Sequence, residues 1–225
     1  MGSRVQLKHV GGAVVILGAV LLMRSGVLGN GGPQPLRVDH TKRWSYVRTP
    51  HRPATALERR LGDVATLVAR RPVQVRCEDF SDGKTLEPKG VVEFNHRGPA
   101  DFARIRPDVC TRLLQFIRSP GGAAACVASR SCQDSSVFWS AQALTVLAHE
   151  SVHLRGVRNE AVTQCYAMQD VPRLARALGA SPEDGRALAA VEYAVDYPHM
   201  PPAYRSRECH PGGALDLTPG SGWWH

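Results

Sequence analysis

His149, Glu150 and His153 stand in the run Leu147-Ala148-His149-Glu150-Ser151-Val152-His153-Leu154, and their types and spacing suit metal-assisted hydrolysis. On a helix, residues four apart lie one above the other, so two imidazoles at this spacing can each aim a ring nitrogen at one ion. Glu150 follows the first histidine, beside the open position of such a site, where a carboxylate can take a proton from water. Three fixed letters recur by chance, so the flanking elements must carry part of the argument.

Upstream of the motif, Val137, Phe138, Ala141, Leu144, Val146, Leu147, Ala148 and Val152 include i, i+3, i+4 and i+7 steps with no Gly or Pro among them. The pattern predicts one partly buried helix from Ser136 to Arg155. Gly156 supplies the left-handed residue that ends many helices, and Asn159 is a good N-cap for a second helix from Glu160 to about Leu178. The tight turn between them carries Glu160 back toward the histidines. Two His and one Glu leave a coordination position free for water, as catalytic zinc sites do, whereas structural sites are closed by four ligands, usually cysteine-rich. Asn159, Asp170, Glu192, His199 and His210 remain further candidates for the third ligand. Glu160 also has a plain explanation, since acidic residues are favoured in the first turn of any helix.

On His149-Glu150-Ser151-Val152-His153, then Gly156, then Asn159-Glu160-Ala161, the chain resembles the gluzincins, zinc peptidases whose third ligand is a Glu on the next helix. The resemblance implies Zn2+ held by His149, His153 and Glu160, with Glu150 as general base. It covers about 25 residues. The interval from His153 to Glu160 is much shorter than in the larger family members, which implies a minimal form of the fold. Where those members often carry an acidic partner for the first zinc histidine, this chain has Gln164, whose amide oxygen can accept a ring N–H. The spacing also resembles the metzincin pattern as far as Gly156; its third ligand would fall on Asn159, a poor one for zinc.

Arg4 and Lys8 precede an apolar run from Val10 to Met23, followed by Arg24 and the stretch Gly29-Asn30-Gly31-Gly32-Pro33-Gln34-Pro35. A basic start and a short apolar core direct a chain to export. With no A-x-A cleavage site after it, the expectation is a single-pass signal anchor at the cell membrane with the domain outside the cytoplasm, or secretion after cleavage. The expected division is residues 1–28 as anchor or signal peptide, 29–53 as a Gly/Pro and basic linker, and 54–225 as the zincin-like domain. Export favours pairing of the six cysteines. Fifteen pairings are possible; the expectation is Cys126 with Cys132, Cys77 with Cys110, and Cys165 with Cys209.

The rest reads as α+β, a small sheet packed on the active-site helix and the ligand-bearing helix after it. Ala54 to Arg71 is a helix stopped by Pro72, and Pro107 to Ile117 is a shorter one. Val73 to Cys77 and Val91 to Asn95 read as strands joined by the turn Ser81-Asp82-Gly83-Lys84, with the second as the candidate edge that pairs with extended substrate. Ser181 caps a helix that begins at Pro182 and runs to about Asp196, and the tail from Pro198 is irregular.

A net charge of +8 invites a nucleic-acid partner, but the positive residues are scattered and not interleaved with aromatics, which argues against one. An anionic membrane surface suits Arg24, Arg37, Lys42, Arg43, Arg48 and Arg52 better. The expected activity is peptide-bond hydrolysis on a peptide or protein substrate; the alternative is a non-catalytic extracytoplasmic module that keeps the scaffold for binding. Tyr193, Tyr197, His199, Tyr204 and His210 are all candidates to stabilise an oxyanion, with no basis for choosing among them. The tail Trp223-Trp224-His225 is a candidate to reach the open metal position.

Overall fold

Helix α4, Ser136–Leu154, is the axis on which the fold is built, and its composition explains why. Twelve of its side chains are buried, including an unbroken stretch from Leu147 to Leu154, so it is apolar around most of its circumference. The computed structural model describes residues 52–80, 88–132 and 135–221. The anchor, most of the basic linker, the Ser81 to Lys84 turn and the Trp223 to His225 tail lie outside the described residues.

Five further helices surround α4: α1 (Ala56–Ala69), α2 (Pro107–Arg118), α3 (Ala123–Ala128), α5 (Glu160–Ala177) and α6 (Pro182–Val191). All but the short α3 pack directly on α4, and α3 packs on α6. Leu61, Leu113, Leu144, Leu147, Leu174 and Leu188 meet in one core that these helices share. Helix α1 begins at a capping box, with the Glu58 backbone N–H donating to Thr55 Oγ1 at 3.2 Å and the Thr55 N–H donating to Glu58 Oε2 at 2.7 Å. The same Glu58 carboxylate accepts from the Cys77 N–H at 2.8 Å and from Arg52 at 2.7 Å, which ties α1 to the first strand. Arg52, expected to face a membrane, is therefore engaged in an ion pair inside the domain.

A three-stranded sheet packs against α4 and α1 in the order β1, β5, β2. Strand β1 (Gln74–Cys77) runs parallel to β5 (Phe102–Ile105), and β2 (Gly90–Val91) pairs antiparallel with the other side of β5 through Gly90 opposite Ile105. A second small sheet is the hairpin of β3 (Phe94–Asn95) and β4 (Gly98–Pro99). The expected continuous strand from Val91 to Asn95 is thus broken. At Val92 the chain buries its side chain against Ala103 and Leu154, and Glu93 turns to accept from the Ala100 N–H at 2.8 Å, so the two halves enter different sheets. The strand at residues 73–77 also does not pair with it; β5 lies between them, because Phe102, Ala103 and Ile105 are buried and need cover on both sides.

Helices α5 and α6 start at Asn159 and Ser181, whose side chains accept from Val162 and Asp184 backbone N–H groups. The expected helix to Asp196 is α-helical only to Val191, after which Glu192–Asp196 widens into a π turn. Among the described residues the tail contributes only short 3₁₀ turns, Tyr197–His199 and Pro202–Tyr204, yet it is docked. Gln169 donates to the Leu215 carbonyl at 2.8 Å and accepts from the Leu217 N–H at 2.6 Å.

All three cysteine pairs form as the sequence suggests. Cys77–Cys110 joins β1 to α2, Cys126–Cys132 closes the loop before α4, and Cys165–Cys209 fastens the tail to α5. Among the described residues no helix is long and apolar enough to cross a membrane.

Candidate metal centre

One turn separates His149 from His153 on α4, and the turn that follows brings Glu160 to both. Gly156 takes φ 106°, a left-handed conformation that lets the chain reverse within a few residues. The reversal points the Val157 carbonyl at His153, whose Nδ1–H donates to it at 2.7 Å. Arg158 lies over the Phe94 ring at 4.7 Å and donates to the Asn95 carbonyl at 3.1 Å, pinning the reversal to the β3 hairpin. Helix α5 then opens with Glu160, and its next turn presents Gln164, whose amide oxygen accepts the His149 Nδ1–H at 2.9 Å.

With each Nδ1 donating outward, each neutral imidazole turns the lone pair of Nε2 inward. Glu160 Oε2 lies 3.0 Å from His149 Nε2 and 3.3 Å from His153 Nε2. Three electron-pair donors converge on one point, and only a cation, a proton or a metal ion, reconciles them. The three side chains form a group that can hold a metal ion, with ligand atoms within 4.8 Å of one another, and it is the only such group among the described residues. Both histidines are 7% exposed, while the Glu160 side chain is 40% exposed, so the cluster opens to solvent on the glutamate side.

The electrostatics follow from this packing. Burial alone would raise the Glu160 carboxyl, but hydrogen bonds with His149 and His153 outweigh it and hold the group at about 2. Burial pushes the His153 imidazole down, and its bond to Glu160 with the nearby Glu150 charge more than reverses that, so His153 is raised.

Glu150 differs from Glu160 in every respect. It is 4% exposed, its Oε2 has no hydrogen-bond partner, and burial lifts its carboxyl above the usual range, with the two imidazoles offsetting part of the rise. Its side chain lies directly against Gly90 at the start of β2, where a Cβ would come within 2.5 Å of Oε1. A glycine inside a strand marks a close approach of this kind, and Gly90 is the close neighbour of Glu150 that the sequence reading missed.

These residues line one cavity of about 610 Å³, together with Gly90 to Val92, Phe94 and Tyr204. A larger hollow of about 800 Å³ beside Arg112 and Trp139 shares no lining residue with it. Of the five oxyanion candidates, Tyr204 has its ring 5.7 Å from that of His149. Burial first, and then the Glu160 and Glu150 charges, raise its phenol, so it stays protonated. Tyr193 and Tyr197 instead donate to the Cys209 and Ser206 carbonyls, and His199 is bonded to the Val195 carbonyl. Among the alternative third ligands, none of Asp170, Glu192, His199 and His210 joins the cluster, and the Asn159 side chain instead caps α5, accepting from the Val162 N–H at 3.0 Å.

No protein-family model, curated protein or solved structure matches the chain.

Proposed function

We propose that the chain is a zinc-dependent peptidase of minimal zincin-like, gluzincin type, exported to an oxidising compartment, that hydrolyses peptide bonds in a peptide or protein. The observation that carries the reading is Glu150, a buried carboxyl with a free oxygen beside three converging metal-ligand atoms. A site that only bound metal, or only bound a partner, has no use for that carboxyl.

The donor set fits zinc, since two imidazole nitrogens and one carboxylate oxygen are among its ordinary ligands and leave a coordination position open. Such an ion supplies Lewis acidity, polarising a carbonyl and making water acidic enough to ionise near neutral pH. Gln164 and the Val157 carbonyl hold the two imidazoles in the tautomer that presents Nε2. Glu150, made more basic by burial, takes a proton from the attacking water and returns it to the leaving nitrogen. Tyr204, protonated and facing His149, donates a hydrogen bond to the oxygen that gains charge in the transition state. The short strand β2 lies against Glu150 at the end of its sheet, where among the described residues no strand pairs with its other side, a place for main-chain pairing with extended substrate. The three disulfides fit an extracytoplasmic setting.

The test is turnover of a peptide library by the zinc-loaded chain beside Glu150→Gln and Tyr204→Phe. Glu150→Gln is expected to keep the metal and lose hydrolysis, and Tyr204→Phe to lose about 10²-fold in kcat. Cleavage by Glu150→Gln at the parental rate would remove the general-base assignment.

A further inference from the structure

The cavity that holds the metal cluster continues past His149 toward two carboxylates that the hydrolytic reading does not use. Glu192 closes α6 and opens the π turn, and Asp196 ends that turn. Both line the cavity, together with Gln142 and Thr145 from α4. Glu192 is 1% exposed; Oε1 accepts from Gln164 Nε2 at 3.5 Å, its carboxyl is hydrogen-bonded to the Asp196 side chain, and Oε2 meets no cation or N–H donor. Asp196 Oδ2 accepts from Gln142 Nε2 at 3.3 Å. Leaving a buried polar atom unpaired is costly, and such atoms are retained where a ligand completes them. π turns inside helices also recur at functional sites, because the widened turn redirects side chains inward.

We infer that Glu192 and Asp196 form a subsite for a cationic side chain of the substrate, an ammonium or guanidinium next to the bond that reacts. The inference rests on the metal-site reading above. Gln142 and Thr145 precede His149 on α4 by about 10 and 6 Å along the helix axis, within reach of a long, flexible basic side chain whose backbone lies at the cluster. An ammonium brings three donors and a guanidinium five, enough to serve the paired Glu192 and Asp196 carboxyl groups together. The Thr145 hydroxyl, which lies 3.0 Å from the Ala141 carbonyl, borders the Glu192 carboxyl in the same cavity. A metal is a poorer occupant, since among the described residues no third ligand accompanies the two carboxylates.

Lys89 lines the same cavity and is attracted to both carboxylates. It is exposed, and among the described residues neither Glu192 nor Asp196 forms an ion pair with it or with any other residue. Burial, and then the neighbouring Asp196 charge, hold the Glu192 carboxyl well above the usual range.

The experiment compares two metal-chelating probes on the full-length, zinc-loaded chain by calorimetry: Nα-acetyl-L-lysine hydroxamate and its norleucine counterpart. The lysyl probe is expected to bind about tenfold tighter, the size of one charge-assisted hydrogen bond. Asp196→Asn and Glu192→Gln should each bring the two probes within about twofold, with the norleucyl affinity unchanged as the control for an intact site. Equal affinity of the two probes in the parent overturns the subsite and leaves the metal reading standing. Failure of both probes to bind a chain that holds zinc overturns the open metal site, and the subsite with it.

Discussion

Replacing Gly90 by alanine tests the packing of the proposed base without any substrate. A Cβ at that position falls 2.5 Å from Glu150 Oε1, 2.6 Å from Cγ and 2.7 Å from Cδ, all well inside van der Waals contact. Neither backbone can yield easily: Gly90 is paired with Ile105 across the sheet, and Glu150 lies in the buried half of α4. The Glu150 side chain must therefore leave its place, and overpacking of this kind costs about 2 kcal/mol. For a chain of this size that is a fall in Tm of about 4–8 °C. The contact is isolated by a double-mutant cycle in chemical denaturation with Gly90→Ala, Glu150→Ala and the pair. With Glu150 truncated, these three closest contacts are gone and the alanine should cost less than about 0.5 kcal/mol, giving a coupling of about 1.5 kcal/mol. Additive costs would mean that β2 does not abut Glu150, and the placement of the edge strand beside the base would be wrong.

Gln164→Ala should weaken zinc binding by about 10–100-fold, as loss of an outer-shell partner to a ligating histidine does, measured by competition with a chromophoric chelator. Unchanged affinity would show that the His149 tautomer is set by something else. Glu58 gives a pH prediction. Burial raises its carboxyl, but bonds from Arg52, Thr55 and Cys77 bring it down from 4.5 to about 2. A lowered carboxyl stabilises the fold above its unfolded value and loses that contribution as pH falls through the folded one. The parent should therefore lose about 3 kcal/mol between pH 4.5 and pH 2 through this group. Glu58→Gln should be less stable at neutral pH and flatter over that acid range; parallel pH profiles would contradict the assignment.

Local signals carried most of the helices and the metal ligands. Helix α4 shows its period in Ala141, Leu144, Leu147 and Ala148, and Gly156 and Asn159 mark the reversal with the residue types that a left-handed turn and an N-cap demand. Because that reversal is so short, Glu160 had little freedom to be anywhere but near His153. The cysteine pairing was likewise within reach, since spacing singled out the short Cys126–Cys132 loop.

The sheet was less legible because its strands are short and its pairing is non-local. β2 and β3 are two residues each, too brief to show alternation, and the Val91 to Asn95 run looks continuous because Val92 and Phe94 pack on the same cluster although β2 pairs with β5 and β3 with β4. β5 was missed altogether, as four residues with only one polar side chain give no period to read. Nor does sequence spacing show that Tyr204 faces His149 while Tyr193 and Tyr197 stack on each other 5.8 Å apart. That choice is made by the Cys165–Cys209 link and by Gln169, which hold the tail against α5.

The central claim is that His149, His153 and Glu160 hold a catalytic metal ion, and metal content per chain tests it most directly. The protein, produced with its disulfides formed and supplied with zinc, should carry about one ion per chain, lost in His149→Ala and retained in Glu150→Gln. An oxidised, folded chain that holds no metal, or a His149→Ala variant that holds as much as its parent, would contradict the account.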